Sequence, residues 1–335
     1  MAEQAQEQKD YSLNRIEIID QFLSDNGWHG ASRIKLAGDA SFREYDRVLL
    51  DGKQAVLMDA PPDKEDVRPF VKIAKHLFAN DLSAPQVLAA DPQNGLLLLE
   101  DLGDDLFTRI LTKQPELEND LYHAAADVLI QLYHSAPGDI PNFDIEQMLR
   151  QVALLPEWFM PLVSGHKTDE QIKQEYLEIW RGILQKLPSL KNVTILYDFH
   201  AENMIWLPDR SGAKRTGLLD FQDAVSGSPA YDMVSFLEDA RRDVKKETVV
   251  NVIDYYLKHT QIPRSDFMAA YHIMGAQRNC RIIGTFARLC VRDNKPRYLA
   301  YMNRVWQHIE NDVSHPLLSP LKQWIDEVIK PEWRN

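Results

Sequence analysis

Apolar residues near the start of the chain recur at helical spacing. Ile16, Ile19, Phe22 and Leu23 fall on one face, and Asn26-Gly27 ends the run, so a helix is expected over 12–25. From Arg33 to Met58 the period changes to two. Ile34 and Leu36 alternate with charge, Phe42 to Leu50 reads as a second strand, and Gln54 to Met58 as a third. Asp51-Gly52 between the last two is a hairpin signal. Pro61-Pro62 stops this pattern, and 65–80 returns to helical spacing with Val67, Phe70, Val71, Ala74, Leu77 and Phe78 inward. Val87 to Ala89 and Leu96 to Leu99 read as two more strands. The four consecutive leucines predict a strand buried on both faces. Beyond Glu100-Asp-Leu-Gly103 the periodicity is almost wholly helical, over 104–113, 117–135, 144–154, 169–186, 229–242, 246–259, 266–291 and 297–311, with one hairpin pattern at 203–220. The expected fold class is α+β, with a small antiparallel β lobe over 1–100, a hinge at 101–103 and a larger helical lobe over 104–335. A ligand cleft is expected where the lobes join.

Composition narrows the possibilities. With 335 residues and 44% apolar side chains, the chain can bury a full core without a metal or disulfide staple. Thirty-eight Lys and Arg against fifty Asp and Glu leave a formal charge of −12, which argues against a nucleic-acid partner. Cys280 and Cys290 form no metal-binding spacing and read as reduced thiols. The polar N-terminus shows no signal peptide and no stretch is long enough to span a membrane, so a cytoplasmic location is expected.

The chemistry concentrates in Tyr197-Asp-Phe-His-Ala-Glu-Asn203 and Leu218-Leu-Asp-Phe-Gln-Asp223. Phosphoryl transfer from ATP to a hydroxyl requires a carboxylate to orient that hydroxyl and hard oxygen ligands for Mg2+. Asp198, Asn203 and Asp220 supply these groups, and a symmetric hairpin would set Asn203 opposite Asp220.

On this D-x4-N skeleton the chain resembles the aminoglycoside phosphotransferase family, whose fold is protein-kinase-like. Further segments are similar to those of the family's bacterial anomeric kinases of amino sugars in cell-wall recycling. They are Gly38-Asp-Ala-Ser-Phe-Arg43, Val56-Leu-Met-Asp-Ala-Pro-Pro62, Leu98-Leu-Glu-Asp-Leu-Gly103, Leu218-Leu-Asp-Phe-Gln-Asp-Ala224, Gly275-Ala-Gln-Arg-Asn279 and Phe286-Ala-Arg-Leu289. The resemblance implies ATP and Mg2+ as cofactors and a small-molecule sugar partner, N-acetylmuramate or N-acetylglucosamine. It implies Asp198 as catalytic base, Asn203 and Asp220 as metal ligands, and the backbone from Glu100 to Leu102 as the adenine site. It also implies that Asp232 braces the catalytic loop.

Two departures stand out. Met58 occupies the place of the strand-three lysine that grips phosphates in most kinases, and Leu196 stands where the family often has His. A replacement cation is expected at Arg43, just past Ser41 over the phosphates, with Arg68 as the second choice. Arg278, Arg281, Arg288 and Arg292 follow one helix; Arg278 is the candidate for an acidic substrate group, and Asp223 for another substrate contact. The rival expectations are an aminoglycoside, choline or homoserine kinase of the same family and a catalytically silent nucleotide-binding pseudokinase.

Overall fold

The computed structural model describes residues 15–36 and 42–334. Ser41 and most of the Gly38–Arg43 segment lie outside the described residues. Helix α1 (15–25) precedes strands β1 (Ser32–Lys35), β2 (Glu44–Leu50) and β3 (Lys53–Asp59). The β2–β3 turn places Asp51 at φ 50° and Gly52 at φ 77°, the two left-handed positions that a tight hairpin needs. Helix α2 (Arg68–Ala79) and strands β4 (Val87–Asp91) and β5 (Leu96–Leu99) complete an antiparallel sheet of order β1-β2-β3-β5-β4. Alternation on β5 divides its four leucines. Leu96 and Leu98 pack with Val48, Ala55, Leu57 and helix α1, while Leu97 and Leu99 join Met58 and α2 in the main core. Burial of each leucine contributes about 1.5–3 kcal/mol.

The helical part comprises α3 (Phe107–Lys113), α4 (Glu118–His134), α5 (Ile145–Val152), α6 (Met160–Ser164) and α7 (Glu170–Leu184), followed by α8 (Ala230–Leu237), α9 (Lys246–Thr260), α10 (Arg264–Val291), α11 (Met302–Asp312) and α12 (Ser319–Val328). Two short antiparallel pairs separate α7 from α8. Strand β6 (Val193–Ile195) pairs with β9 (Val225–Gly227), and β7 (Met204–Trp206) with β8 (Thr216–Leu218). Among the described residues no helix is long and apolar enough to cross a membrane. Trp180 and Phe159 are fully buried packing residues. Cys280 is buried, Cys290 is half-buried, and both are free.

The two parts are joined by polar contacts around residues 100–104. Arg47 of β2 forks onto Asp101 (2.5 and 3.1 Å) and Asp104 (2.8 and 3.1 Å). The Asp101 side chain is 2% exposed, so it is a buried ion-pair partner and not a solvated turn residue. Glu100 accepts from Arg210 at 2.6 Å, and the Ser83 carbonyl accepts from Leu218 N–H at 2.8 Å, which ties the sheet to the β7–β8 hairpin. Phe70 of α2 packs on Phe221 with ring centroids 4.8 Å apart.

Below the cleft, α10 organises a buried polar junction with α8 and α11. Asn279 Nδ2 donates to Glu238 (2.7 Å) and to Asp312 (3.1 Å). A side chain at position 275 would put its Cβ 2.6 Å from the Asp312 oxygens, so only glycine allows this approach. Burial raises the pKa of both carboxyls well above the usual range, and for Glu238 the neighbouring Asp312 charge adds to it. The native state therefore binds protons that the unfolded chain releases above its ordinary carboxylate pKa, and stability drains away as pH rises through the raised native values. Asp312→Asn keeps the shape and removes one titration. In urea unfolding its stability relative to the parent should improve as pH rises above the ordinary carboxylate range; a difference that does not change with pH would contradict the raised carboxyl.

Candidate active site

The loop from β6 to β7 carries the first acid. Tyr197 has φ 76°, a left-handed conformation that costs a tyrosine roughly 1–2 kcal/mol. The surroundings hold it there. Asp232, in the first turn of α8, accepts from Leu196 N–H at 2.6 Å and from Tyr197 N–H at 3.0 Å. The Tyr197 ring stacks on Tyr231 (5.5 Å), Gln151 donates to its hydroxyl, and the Arg281 guanidinium lies 4.6 Å above it. Burial pushes the Asp232 pKa up to about 7, against the pull of the two N–H donors. A helix-start residue thus spends its carboxylate on the loop, three dozen positions upstream.

Asp198 follows this bend with its side chain 36% exposed. Its carbonyl accepts from His200 N–H at 3.1 Å and from Asn203 Nδ2 at 3.0 Å. With its nitrogen committed, the Asn203 amide presents its oxygen, a hard donor suited to a divalent cation. The expected register needs correction: Met204 pairs with Leu218, so Asn203 stands opposite Leu219, whose N–H donates to Asn203 C=O at 3.0 Å. The Gly212–Arg215 turn of 3-10 helix makes the connecting loop asymmetric, which shifts the pairing by one residue. Asp220 is the next residue. Its φ of 55° reverses the chain there, and its side chain is 42% exposed. Gln222 donates to it at 2.8 Å and to the exposed Asp223 at 3.3 Å.

Arg43 reaches this end from the sheet. Its Nη1 is 3.6 Å from Asp220, its Nε is 3.4 Å from Glu65, and it hydrogen-bonds Tyr45. Met58 pairs with Tyr45 and Leu97 and is fully buried, so the strand-three position is a floor residue here. Arg68 pairs with Asp66 on the surface. Just past β5, the Glu100 N–H donates to Gln86 C=O at 2.8 Å, while the Leu102 N–H has no protein acceptor among the described residues.

The arginines of α10 diverge. Arg292 is exposed and pairs with Asp293, whereas Arg278 is 2% exposed and Arg281 Nη2 lies 3.9 Å from Asp198. Arg281, Gln151 and Glu65 were not singled out from the sequence as site residues. Only the arginine spacing along α10 hinted at the first. His200 is 6% exposed with its Nδ1 unpartnered, and burial with Arg241, Arg278 and Arg281 nearby drives its pKa well below the usual histidine value. It is neutral and makes a poor proton acceptor beside Asp198.

Truncating Asp232 would leave two buried N–H groups unpaired, each costing about 1–3 kcal/mol. Asp232→Ala should lower the urea midpoint markedly and Asp232→Asn by less, because the amide keeps one acceptor oxygen. An alanine variant as stable as the parent would refute the bracing role.

Comparison with known proteins agrees with this geometry. A sequence model described as the phosphotransferase enzyme family matches residues 33–271. A Caulobacter vibrioides protein named N-acetylmuramate/N-acetylglucosamine kinase is 38% identical, covering 94% of this chain and 96% of its own. A Neisseria meningitidis protein of the same name is 36% identical, covering 80% and 84%. Among solved structures, a choline kinase from Streptococcus pneumoniae superposes with a TM-score of 0.61 at 14% identity over 90% of this chain and 100% of that one, a likeness of fold alone. Sheet lobe, helical lobe and the loop between them agree with the sequence match: the chain belongs to the phosphotransferase enzyme family.

Proposed function

We propose that this phosphotransferase is a sugar kinase. It moves the γ-phosphoryl group of ATP, with Mg2+, onto the anomeric hydroxyl of N-acetylmuramate or N-acetylglucosamine. The observation that carries the reading is the bond from the Asn203 amide to the Asp198 carbonyl, which joins a partly exposed acid to an oxygen donor next to Asp220. The names of the 38% and 36% identical relatives supply the acceptor. Fold likeness to choline kinases at 14% identity supplies no acceptor.

In this reading 101–103 is the hinge between a nucleotide lobe and a catalytic lobe. The Glu100 carbonyl and the Leu102 N–H receive the adenine edge. The donor set at Asn203 and Asp220 fits Mg2+, which when bound would neutralise phosphate charge. Arg43 takes the place of the missing strand lysine, with Glu65 as its carboxylate partner and Asp220 beside it. Asp198 orients the acceptor hydroxyl and takes its proton as the oxygen forms its bond to phosphorus and the ADP oxygen leaves. An anomeric hydroxyl is more acidic than an ordinary alcohol, so positioning outweighs base strength. A silent nucleotide-binding module is disfavoured, because its one motive was Met58 and a guanidinium stands at the phosphate end of the cleft.

Asp198→Asn should cut kcat by about 10²–10⁴ while leaving ATP affinity within a small factor. Isothermal titration with ATP beside a turnover assay measures both, and full turnover would end the mechanism. Arg43→Ala should raise the KM for ATP roughly tenfold or more, as expected for loss of a charge-assisted phosphate contact. An unchanged KM would assign the phosphates to another cation. Phosphorus NMR of the product tests the reading as a whole: phosphate on the anomeric carbon is the expected result, and phosphate elsewhere or no product counts against it.

A further inference from the structure

Helix α10 turns a cationic edge toward the acceptor end of the cleft. Arg281 Nη2 stands 3.9 Å from Asp198 Oδ1, and its side chain is 15% exposed. One turn earlier Arg278 is buried to 2%, and its Nε and Nη1 have no hydrogen-bond partner among the described residues. The Arg281 Nε is also buried without an acceptor. The remaining cation here, Arg241, is already committed to Glu202 at 2.8 Å. A buried guanidinium with unfilled donors is costly unless an anion comes to meet it. Asp198 and the fully buried Asp239 are the nearby carboxylates, but Asp198 at 3.9 Å is outside hydrogen-bond range of Arg281, and neither fills the open Nε and Nη1 donors of Arg278.

Two anions could approach this edge, the phosphoryl group in transit or a charge on the acceptor. The placement favours the second. Arg43 serves the Asp220 end from the sheet lobe, whereas Arg278 and Arg281 rise from the helical lobe at the Asp198 end, where the acceptor hydroxyl must sit. We propose that Arg278 and Arg281 form a receptor for a carboxylate carried by the acceptor sugar, the lactyl carboxylate of N-acetylmuramate. The inference rests on the sugar-kinase reading and deepens it. The lactyl ether leaves the ring two carbons from the anomeric centre. The arm is long enough to carry its carboxylate from a hydroxyl bonded to Asp198 to the Arg281 fork, which suits a planar two-oxygen partner. Arg278 behind it supplies charge and the remaining donors.

The unaltered protein gives the first test, since it needs no variant to fold. Steady-state kinetics are compared for N-acetylmuramate, its methyl ester and N-acetylglucosamine. The ester should lose roughly tenfold or more in kcat/KM against the free acid, the size of a lost charge-assisted contact. Arg281→Gln should then lower the ratio of kcat/KM for N-acetylmuramate over N-acetylglucosamine by a similar factor. Equal rates for ester and acid would overturn the receptor, as would a variant that loses both sugars by one common factor. Phosphorylation of neither sugar by the parent enzyme would instead bring down the sugar-kinase reading itself.

Discussion

The carboxylate of Asp232 is the constraint on which the site depends. It reaches back from α8 to take the N–H groups of Leu196 and Tyr197, and these bonds fix the entry of the loop that carries Asp198. A left-handed tyrosine is not a conformation the chain adopts on its own, so it persists because its surroundings over-determine it. Tyr231, Gln151 and Arg281 each hold the same ring from a different element. The bend aims Asp198 toward solvent in a neighbourhood that is otherwise buried. The same logic recurs at Asp220, where φ 55° turns the chain and Phe221 is locked against Phe70 of α2. Two strained residues, each clamped by neighbours, set the two carboxylates.

Helix α10 shows how one sequence stretch can serve both stability and the site. Gly275 admits Asp312, Gln277 bonds Gln151 (3.1 Å) and so supports the partner of Tyr197, and Asn279 bridges Glu238 and Asp312. Arg278 and Arg281 then face the catalytic loop. Because these positions lie within two turns, any shift of the helix that disturbed the buried acids would also move the arginines. A rigid element of this kind can hold a guanidinium in the interior with its Nε and Nη1 donors unfilled.

Strand alternation, the Asp51-Gly52 turn and the four leucines of β5 are local signals, and they read directly as a sheet with two covered faces. Helical periodicity located most of the later elements to within a few residues, although α6, α12 and the β6–β9 pair went unread. Those two strands are three residues each and are specified by partners far away in sequence, so no period could reveal them. In the site, the acid and amide residues were legible as candidates from D-x4-N followed by Leu218-Leu-Asp220. Their register was not, because the loop between β7 and β8 folds asymmetrically. Nor was the burial of Arg278, since an arginine repeat at helical spacing has the same appearance whether it faces water or the interior. The Arg47–Asp101–Asp104 clamp pairs β2 with the segment after β5, and pairings between distant segments are what a single sequence hides best.

That clamp bears on how the fold tolerates Met58. Side chains alternate along β2, so Arg43, Tyr45 and Arg47 share the face on which Met58 lies opposite Tyr45. Arg47 is fastened to the hinge and Arg43 stands at Asp220, while Tyr45 and Met58 form the floor between them. At about 3.3 Å per residue the two arginines are roughly 13 Å apart along the strand, close to the span from a nucleobase to its terminal phosphate. One strand face therefore carries a cation at each end of the proposed nucleotide path. With an arginine just ahead of β2 beside Asp220, the β3 position is an apolar floor, and a lysine there would be buried against Leu97. The positive charge at the Asp220 end of the sheet thus comes from the start of β2 and not from β3.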